Sequence, residues 1–142
     1  MGFRHIGRNV RISDRAALYD VDRISIGDNS RIDDFCVLAG SVTIGRNVHV
    51  TVFCNLAGGR AGVTLADFST LVGRYAILGT GTIVLPGVTI GEGVSAGAGS
   101  VFTTSADPWG IYVGAPARRA KERSRDLLQL AEDYRARFDG GA

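Results

Sequence analysis

Aliphatic residues recur at every sixth position over most of the chain. The residue two places before the next aliphatic position is small or β-branched in most repeats, as in Ser30, Cys36 and Val48. Because side chains alternate between the two faces of a strand, both positions of each repeat point to the same side. The pattern therefore predicts short strands around a common interior, three to a coil of 18 residues. The aliphatic positions form three series: Ile6, Ile12 and Leu18; Ile26, Ile32, Leu38, Ile44, Val50 and Leu56; and Val72, Leu78, Val84, Ile90, Ala96 and Phe102.

The last part of the chain has a different spacing. Leu127, Leu130, Ala131, Tyr134 and Phe138 are three or four residues apart, as on one face of an α-helix. Helical spacing is absent before about residue 117, and no segment is long enough for the crossover helices of an ordinary parallel sheet. We expect an all-β solenoid over residues 1–116 and a helix with a tail over residues 117–142. The helix is expected to cap the open end of the solenoid or to pack on a neighbouring subunit.

Composition supports a single globular domain that does not bind mainly to nucleic acid or to a membrane. The 142 residues are 45% hydrophobic and 21% charged, with 20 glycines, which suit corner positions that need a left-handed backbone. A net charge of +2 does not predict binding to nucleic acid, and no apolar run approaches the roughly 20 residues of a membrane span. Cys36 and Cys54 are 18 positions apart, so we expect them to stack as buried, reduced thiols in a cytoplasmic protein.

Two segments resemble a known family. The repeat, the segment LPGVTIGEGVSAGAGSV (residues 85–101) and the segment IYVGAPARRAK (residues 111–121) are similar to the hexapeptide motif and C-terminal signature of left-handed β-helix acyltransferases, especially the galactoside, maltose and xenobiotic acetyltransferases and polysaccharide acetyltransferases. The resemblance implies left-handed winding, a homotrimer with a site in each cleft between subunits, and acetyl-CoA as cosubstrate without a metal. Spacing alone does not give the handedness.

The resemblance also implies which residues contact coenzyme A. Thr80 and Ala98 are 18 positions apart and occupy equivalent outward positions on adjacent coils, where small residues let backbone amides approach the pantetheine. The resemblance also assigns Thr103 and Thr104, after the last repeat, and Arg118 and Lys121, after the Gly-x-Pro motif, to coenzyme A binding. Arg119 and Arg123 add positive charge nearby. Trp109 is expected to pack the chain turn. The predicted coenzyme-binding residues are Thr80, Ala98, Thr103, Thr104, Arg118, Arg119 and Lys121.

His49 is the candidate general base. It falls at an outward repeat position, and an imidazole can accept a proton near neutral pH. The alternatives are an exposed histidine on a flat surface or one packed at a subunit interface. His5 lies in the first strand and is expected at the surface. Asn55, Asp67 and Arg60 are candidates for binding the acceptor.

The sequence departs from the family at one place. Galactoside-type relatives carry a long catalytic loop on the third coil, whereas here only one residue between Leu65 and Val72 exceeds the repeat and residues 58–62 form a short extra corner. The first hypothesis is acetyl transfer to the hydroxyl or amine of a sugar or nucleotide-sugar in surface polysaccharide synthesis. The second is a lapsed homologue that acts as a coenzyme-binding or structural trimer. The β-helix carbonic anhydrases need three metal-binding histidines, and the chain has two.

Overall fold

The chain folds as a left-handed parallel β-helix followed by one α-helix, in a computed structural model that describes residues 2–58 and 70–138. Three sheets form the sides of the coil, and successive coils add one parallel strand to each sheet. Paired residues such as Ile26 with Ile44 and Ile32 with Val50 are 18 positions apart, as the six-residue repeat predicts. The predicted fold class is confirmed.

The strands are short, and most contain two or three residues. Sheet A contains β1 (His5–Ile6), β4 (Ile24–Ile26), β7 (Val42–Ile44), β10 (Thr70–Val72) and β13 (Thr89–Ile90). Sheet B contains β2 (Arg11–Ile12), β5 (Arg31–Ile32), β8 (His49–Val50), β11 (Ile77–Leu78), β14 (Ser95–Ala96), β16 (Gly110–Val113) and β17 (Arg118–Glu122). Sheet C contains β3 (Ala17–Leu18), β6 (Val37–Ala39), β9 (Asn55–Ala57), β12 (Ile83–Val84) and β15 (Val101–Phe102).

The predicted aliphatic positions of the inner coils fill the interior. From Ile26 to Phe102 these residues are at most 4% exposed, and the small positions between them are equally buried. Hydroxyl groups at these positions bond to the corners, as when Ser100 Oγ donates to the Gly97 carbonyl (2.6 Å). At the C-terminal end, Tyr112 pairs with Ala96 of the preceding coil, and its ring packs against Phe102 with centroids 5.8 Å apart.

The third coil contains a longer connection than the sequence pattern predicted. Only two residues connect β6 with β7, whereas residues 58–69 connect β9 with β10. Val72 nevertheless pairs with Ile44, so the coil resumes in register after this connection. Ile44 and Val72 are 28 positions apart, ten more than one coil of 18 residues, whereas the predicted single extra residue near Leu65 lies outside the described residues. A six-residue pattern does not give the length of a connection between two strands, because the connection has no period of its own.

The C-terminal segment begins with a strand. β17 pairs antiparallel with β16, after a turn that includes a cis Ala115–Pro116 bond. The helix α1 spans Asp126–Phe138, so the expectation of a helix from about residue 117 is wrong at its start. The free edge of β16 offers unpaired N–H and C=O groups, which a helix over residues 118–122 would leave unsatisfied.

The helix is separate from the hydrophobic core. Among the described residues, none of α1 belongs to the core or is packed against it, and Leu130 is 64% exposed. At the C-terminal edge of sheet B, the strand β17 therefore covers the solenoid end in place of the predicted helix. Packing of the helix on a neighbouring subunit stays a prediction. Within residues 2–58 and 70–138, no helix has the length and apolar character needed to cross a membrane.

Candidate active site

The outer surface of sheet B carries the predicted catalytic residue. Each strand places the residue before its buried aliphatic side chain on the outside, and parallel pairing aligns these residues in one row. Neighbouring members of the row are about 4.8 Å apart, the usual spacing of paired strands. This sheet-B row consists of Arg11, Arg31, His49, Ile77 and Ser95.

His49 forms a hydrogen-bonded pair with Asp33. His49 Nε2 lies 2.7 Å from Asp33 Oδ2, and the two side chains are 36% and 22% exposed. Asp33 is held in place because its N–H donates to the Val50 carbonyl (3.0 Å) and its Oδ1 accepts from Arg31 Nη2 (3.2 Å). Since a carboxylate only accepts hydrogen bonds, it favours the imidazole with the proton on Nε2. The lone pair of Nδ1 is then available to accept a proton from an acceptor group.

Sequence reasoning missed Asp33 and Arg31. Both could have been found from the repeat, because Arg31 lies 18 positions before His49 and Asp33 lies two positions further along the same outer surface.

Thr80 and Ala98 lie where the sequence predicted, on adjacent coils beside the sheet-B surface. Both are exposed, and the Gly99 N–H donates to the Thr80 carbonyl (2.8 Å). Thr80 follows Leu78, whose strand partner Val50 is the immediate neighbour of His49. The candidate base and the predicted pantetheine positions therefore share one side of the solenoid, on neighbouring coils.

The predicted phosphate-binding residues lie at the C-terminal end of sheet B. Arg118, Arg119 and Lys121 are exposed on β17, and Lys121 pairs with Ile111 at the continuation of the sheet-B row. The Arg119 guanidinium lies against Gly110, where an added Cβ would be 2.9 Å from Nη1. Three exposed cations on one strand suit the binding of phosphate groups.

The other predicted residues lie elsewhere. Thr103 and Thr104 are exposed at the corner beyond β15, at the end of sheet C. Asn55 is exposed on β9 in sheet C, a different side of the coil from His49. Asp67 and Arg60 lie outside the described residues. Within one subunit, the structure therefore does not bring Asn55 or the two threonines together with His49.

Arg123 is occupied by a structural role. Its Nη1 donates to the carbonyls of Tyr75 and Gly93, both at 2.9 Å, and its N–H donates to the Trp109 carbonyl at 2.7 Å. Burial lowers the pKa of the Arg123 guanidinium. Trp109 is 3% exposed, with the guanidiniums of Arg123 and Arg125 over its ring, which confirms that it packs the chain turn. Arg123 therefore holds the chain turn together, and its contribution of positive charge for phosphate stays a prediction.

The two cysteines are buried and free, as predicted. The hydrogen bond with Cys54 and burial together raise the pKa of the Cys36 thiol. A nucleophilic role needs an accessible thiolate, and both side chains are at most 1% exposed. In the part of the chain that the structure describes, no three His, Cys, Asp or Glu side chains are grouped to hold a metal ion.

The chain is similar to known proteins in both sequence and fold. Residues 23–58 match the family described as bacterial transferase hexapeptide (six repeats). The chain is similar to a dTDP-4-amino-4,6-dideoxy-D-glucose acyltransferase from Escherichia coli, with 33% identity over 95% of this chain and 90% of the relative. It is 32% identical to the galactoside O-acetyltransferase of Escherichia coli (strain K12), over 92% of this chain and 60% of that relative. The structure of AntD, an N-acyltransferase from Bacillus cereus in complex with dTDP and 3-hydroxybutyryl-CoA, matches with a TM-score of 0.68 and 32% identity, over 94% of this chain and 91% of that one.

The alignment with the first relative also shows a difference. It extends over 174 residues, which exceeds the 142 residues of this chain, so the relative contains residues with no counterpart here.

Proposed function

Because the chain belongs to the hexapeptide-repeat acyltransferases, we propose that it transfers an acyl group from acetyl-CoA or a related acyl-CoA to a nucleotide-linked sugar. The acceptor atom is a sugar amine or hydroxyl, and the product belongs to surface polysaccharide synthesis. Two named properties of relatives support the acceptor class: one is an acyltransferase for a dTDP-amino sugar, and AntD was crystallised with dTDP and an acyl-CoA. The two unlinked buried thiols suit a cytoplasmic enzyme.

The observation that carries this proposal is the hydrogen bond between His49 and Asp33 on the same side as Thr80. A base oriented by a carboxylate is suited to remove a proton from an attacking amine or hydroxyl. The acceptor nitrogen or oxygen forms a bond to the thioester carbonyl carbon while His49 Nδ1 takes its proton. The C–S bond then breaks, and the leaving thiolate of coenzyme A recovers a proton from the imidazolium.

The remaining predicted residues have roles around this step. We propose that pantetheine lies along Thr80 and Ala98, and that Arg118, Arg119 and Lys121 bind the phosphates of coenzyme A. Thr103, Thr104, Asn55 and Asp67 act from a neighbouring subunit if the chain forms the proposed homotrimer, since Thr103, Thr104 and Asn55 lie away from His49 within one subunit. A cleft between sheet B of one subunit and sheet C of the next would bring these residues together.

A lapsed enzyme is the second candidate, and one observation favours it. The chain lacks residues that the dTDP-amino-sugar acyltransferase contains. If those residues supply an essential part of the acceptor site, the chain would bind coenzyme A without turnover.

The test is turnover with acetyl-CoA and dTDP-4-amino-4,6-dideoxyglucose, followed by release of the coenzyme A thiol. We expect His49→Ala to lower kcat by about 10²- to 10⁴-fold, the usual contribution of a general base. His5→Ala is the matched control, because His5 is exposed on sheet A, and it should leave kcat unchanged. Asp33→Asn should lower kcat because it no longer orients the imidazole through a carboxylate.

Binding separates the two candidates. Both predict that acetyl-CoA raises the melting temperature, because a ligand that binds only the folded state stabilises it. Turnover with any nucleotide-sugar acceptor supports the enzyme. Coenzyme binding without turnover across a panel of amino and hydroxyl sugars supports the lapsed homologue. No thermal shift with acetyl-CoA refutes both.

A further inference from the structure

We infer that Arg11 and Arg31 form a diphosphate-binding subsite for the nucleotide part of the acceptor. The inference rests on the proposed function, because it specifies where a nucleotide-sugar would lie relative to His49. It is carried by the geometry of the N-terminal half of sheet B, where two arginines adjoin the candidate base.

The two arginines are held in register on neighbouring coils. Arg11 pairs with Arg31 and Arg31 pairs with His49, so the three residues follow one another along the sheet-B row. The backbone spacing of about 4.8 Å between adjacent strands suits two guanidiniums that each contact one phosphate of a diphosphate. Both arginines are exposed and can reach a ligand on the surface.

The nearby carboxylates are already matched by other groups. Asp34 contacts Ser13 Oγ through a short hydrogen bond and Arg15 Nη1 at 3.6 Å. Asp33 is shared between Arg31 and His49. In the described part of the chain, no acidic side chain pairs with Arg11, so its guanidinium is available to an anion. Arg31 uses only Nη2 toward Asp33 and keeps its other donors.

A shallow depression provides space for the ligand. It has a volume of about 270 Å³, and its lining includes Arg11, Ser13, Arg31, Asp33 and Asp34. Its position beside His49 places a bound diphosphate on the opposite side of the base from Thr80. The acceptor would therefore approach from the N-terminal coils, while the thioester approaches from the C-terminal coils.

Coenzyme A also contains a diphosphate, and position distinguishes the two sources. The cations proposed for coenzyme A are on β17, five strand spacings or about 24 Å from β5. Arg11 and Arg31 should therefore affect nucleotide binding and leave coenzyme A binding unchanged. Arg31 also holds Asp33, so its loss should affect both nucleotide affinity and kcat, whereas loss of Arg11 should affect affinity or KM alone.

The experiment measures binding of dTDP, dTMP, thymidine and coenzyme A to the full chain by calorimetry. We expect dTDP to bind at least tenfold more tightly than thymidine. Arg11→Gln and Arg31→Gln should each weaken dTDP binding about tenfold or more, as expected for loss of a charge-assisted contact. Arg46→Gln is the matched control, because Arg46 is an exposed arginine at the corner after β7, away from the row. Its dTDP affinity should not change.

Three results would overturn the inference. The first is equal affinity of the parent protein for thymidine and dTDP. The second is an Arg11→Gln variant whose dTDP affinity is within twofold of the parent. The third is an arginine variant that loses as much affinity for coenzyme A as for dTDP. Failure of the inference is distinguishable from failure of the proposed function. An enzyme that binds coenzyme A and acetylates a sugar without a nucleotide would keep its acyltransferase activity and lack this subsite.

Discussion

Removal of the Arg123 side chain should loosen the C-terminal end of the solenoid. Arg123 joins two coils and the final turn, because its Nη1 donates to the carbonyls of Tyr75 and Gly93 and its guanidinium lies over Trp109. All three partners are corner residues with positive φ, between 60° and 69°. Arg123→Ala leaves two corner carbonyls without this donor and removes one cover of the indole.

The expected loss is about 3 kcal/mol. A hydrogen bond from a charged donor contributes roughly 1.5–3 kcal/mol, and partial exposure of Arg123 places each bond near the lower end. For a domain of this size, that loss lowers the melting temperature by roughly 10 °C. Arg123→Lys should recover part of the loss because an ammonium can reach one carbonyl but lacks the planar pair of donors.

The tryptophan gives a direct assay, because Trp109 is the only one in the chain. In the parent protein it is 3% exposed, so its emission should be shifted to the blue and should change only when this end opens. In Arg123→Ala, the Trp109 emission should shift at a lower urea concentration than the concentration at which the β-sheet circular dichroism signal is lost. Coils of a solenoid contact only their neighbours, which permits such local opening.

Arg125→Ala is the matched control. Arg125 also lies over Trp109, with its guanidinium carbon 5.6 Å from the ring centroid, and pairs with the exposed Glu122. An exposed ion pair and cation–π contact contribute about 1 kcal/mol or less. Equal destabilisation in Arg123→Ala and Arg125→Ala would refute the role assigned to the two carbonyl bonds. So would a Trp109 transition that coincides with global unfolding at the parent midpoint.

Three further changes test the fold. Leu78→Ala removes a side chain that is 0% exposed and should lower the free energy of unfolding in urea by about 3 kcal/mol. Val113→Ala, at a 45% exposed position, should lower it far less, and equal losses would contradict the assigned core. Gly99→Ala should lower the free energy of unfolding by about 1 kcal/mol because of the φ of +73° alone, since an added Cβ meets nothing within 4 Å. Gly99→Asn should cost less, and an alanine variant as stable as the parent would contradict this backbone conformation. The raised pKa of Cys36 keeps the folded thiol protonated, whereas the unfolded thiol ionises near 9.0, so the free energy of unfolding should fall as the pH rises past that value. Cys36→Ala should remove this pH dependence. An unchanged slope of unfolding free energy against pH in that variant would exclude Cys36 as its source.

Several features could be read from the sequence because they repeat along the coil. Ile44 and Val50 face the interior, and Cys36 and Cys54 are buried as the 18-residue spacing predicts. The same repeat placed Thr80 and Ala98 at equivalent exposed positions. These predictions succeed because strand alternation and coil stacking are set by local backbone geometry, which the spacing of apolar residues records directly.

Other features depended on the tertiary structure. The pairing of His49 with Asp33 arises because two coils lie side by side, and the separation of Asn55 from His49 arises because the chain turns a corner between them. The extra residues between β9 and β10 have no period that a repeat could reveal. Residues 118–122 form a strand rather than a helix because the free edge of β16 accepts them. The sequence by itself determined which residues face inward, and only the folded chain decided which outward residues meet, since contacts between coils depend on register and corners rather than on local spacing.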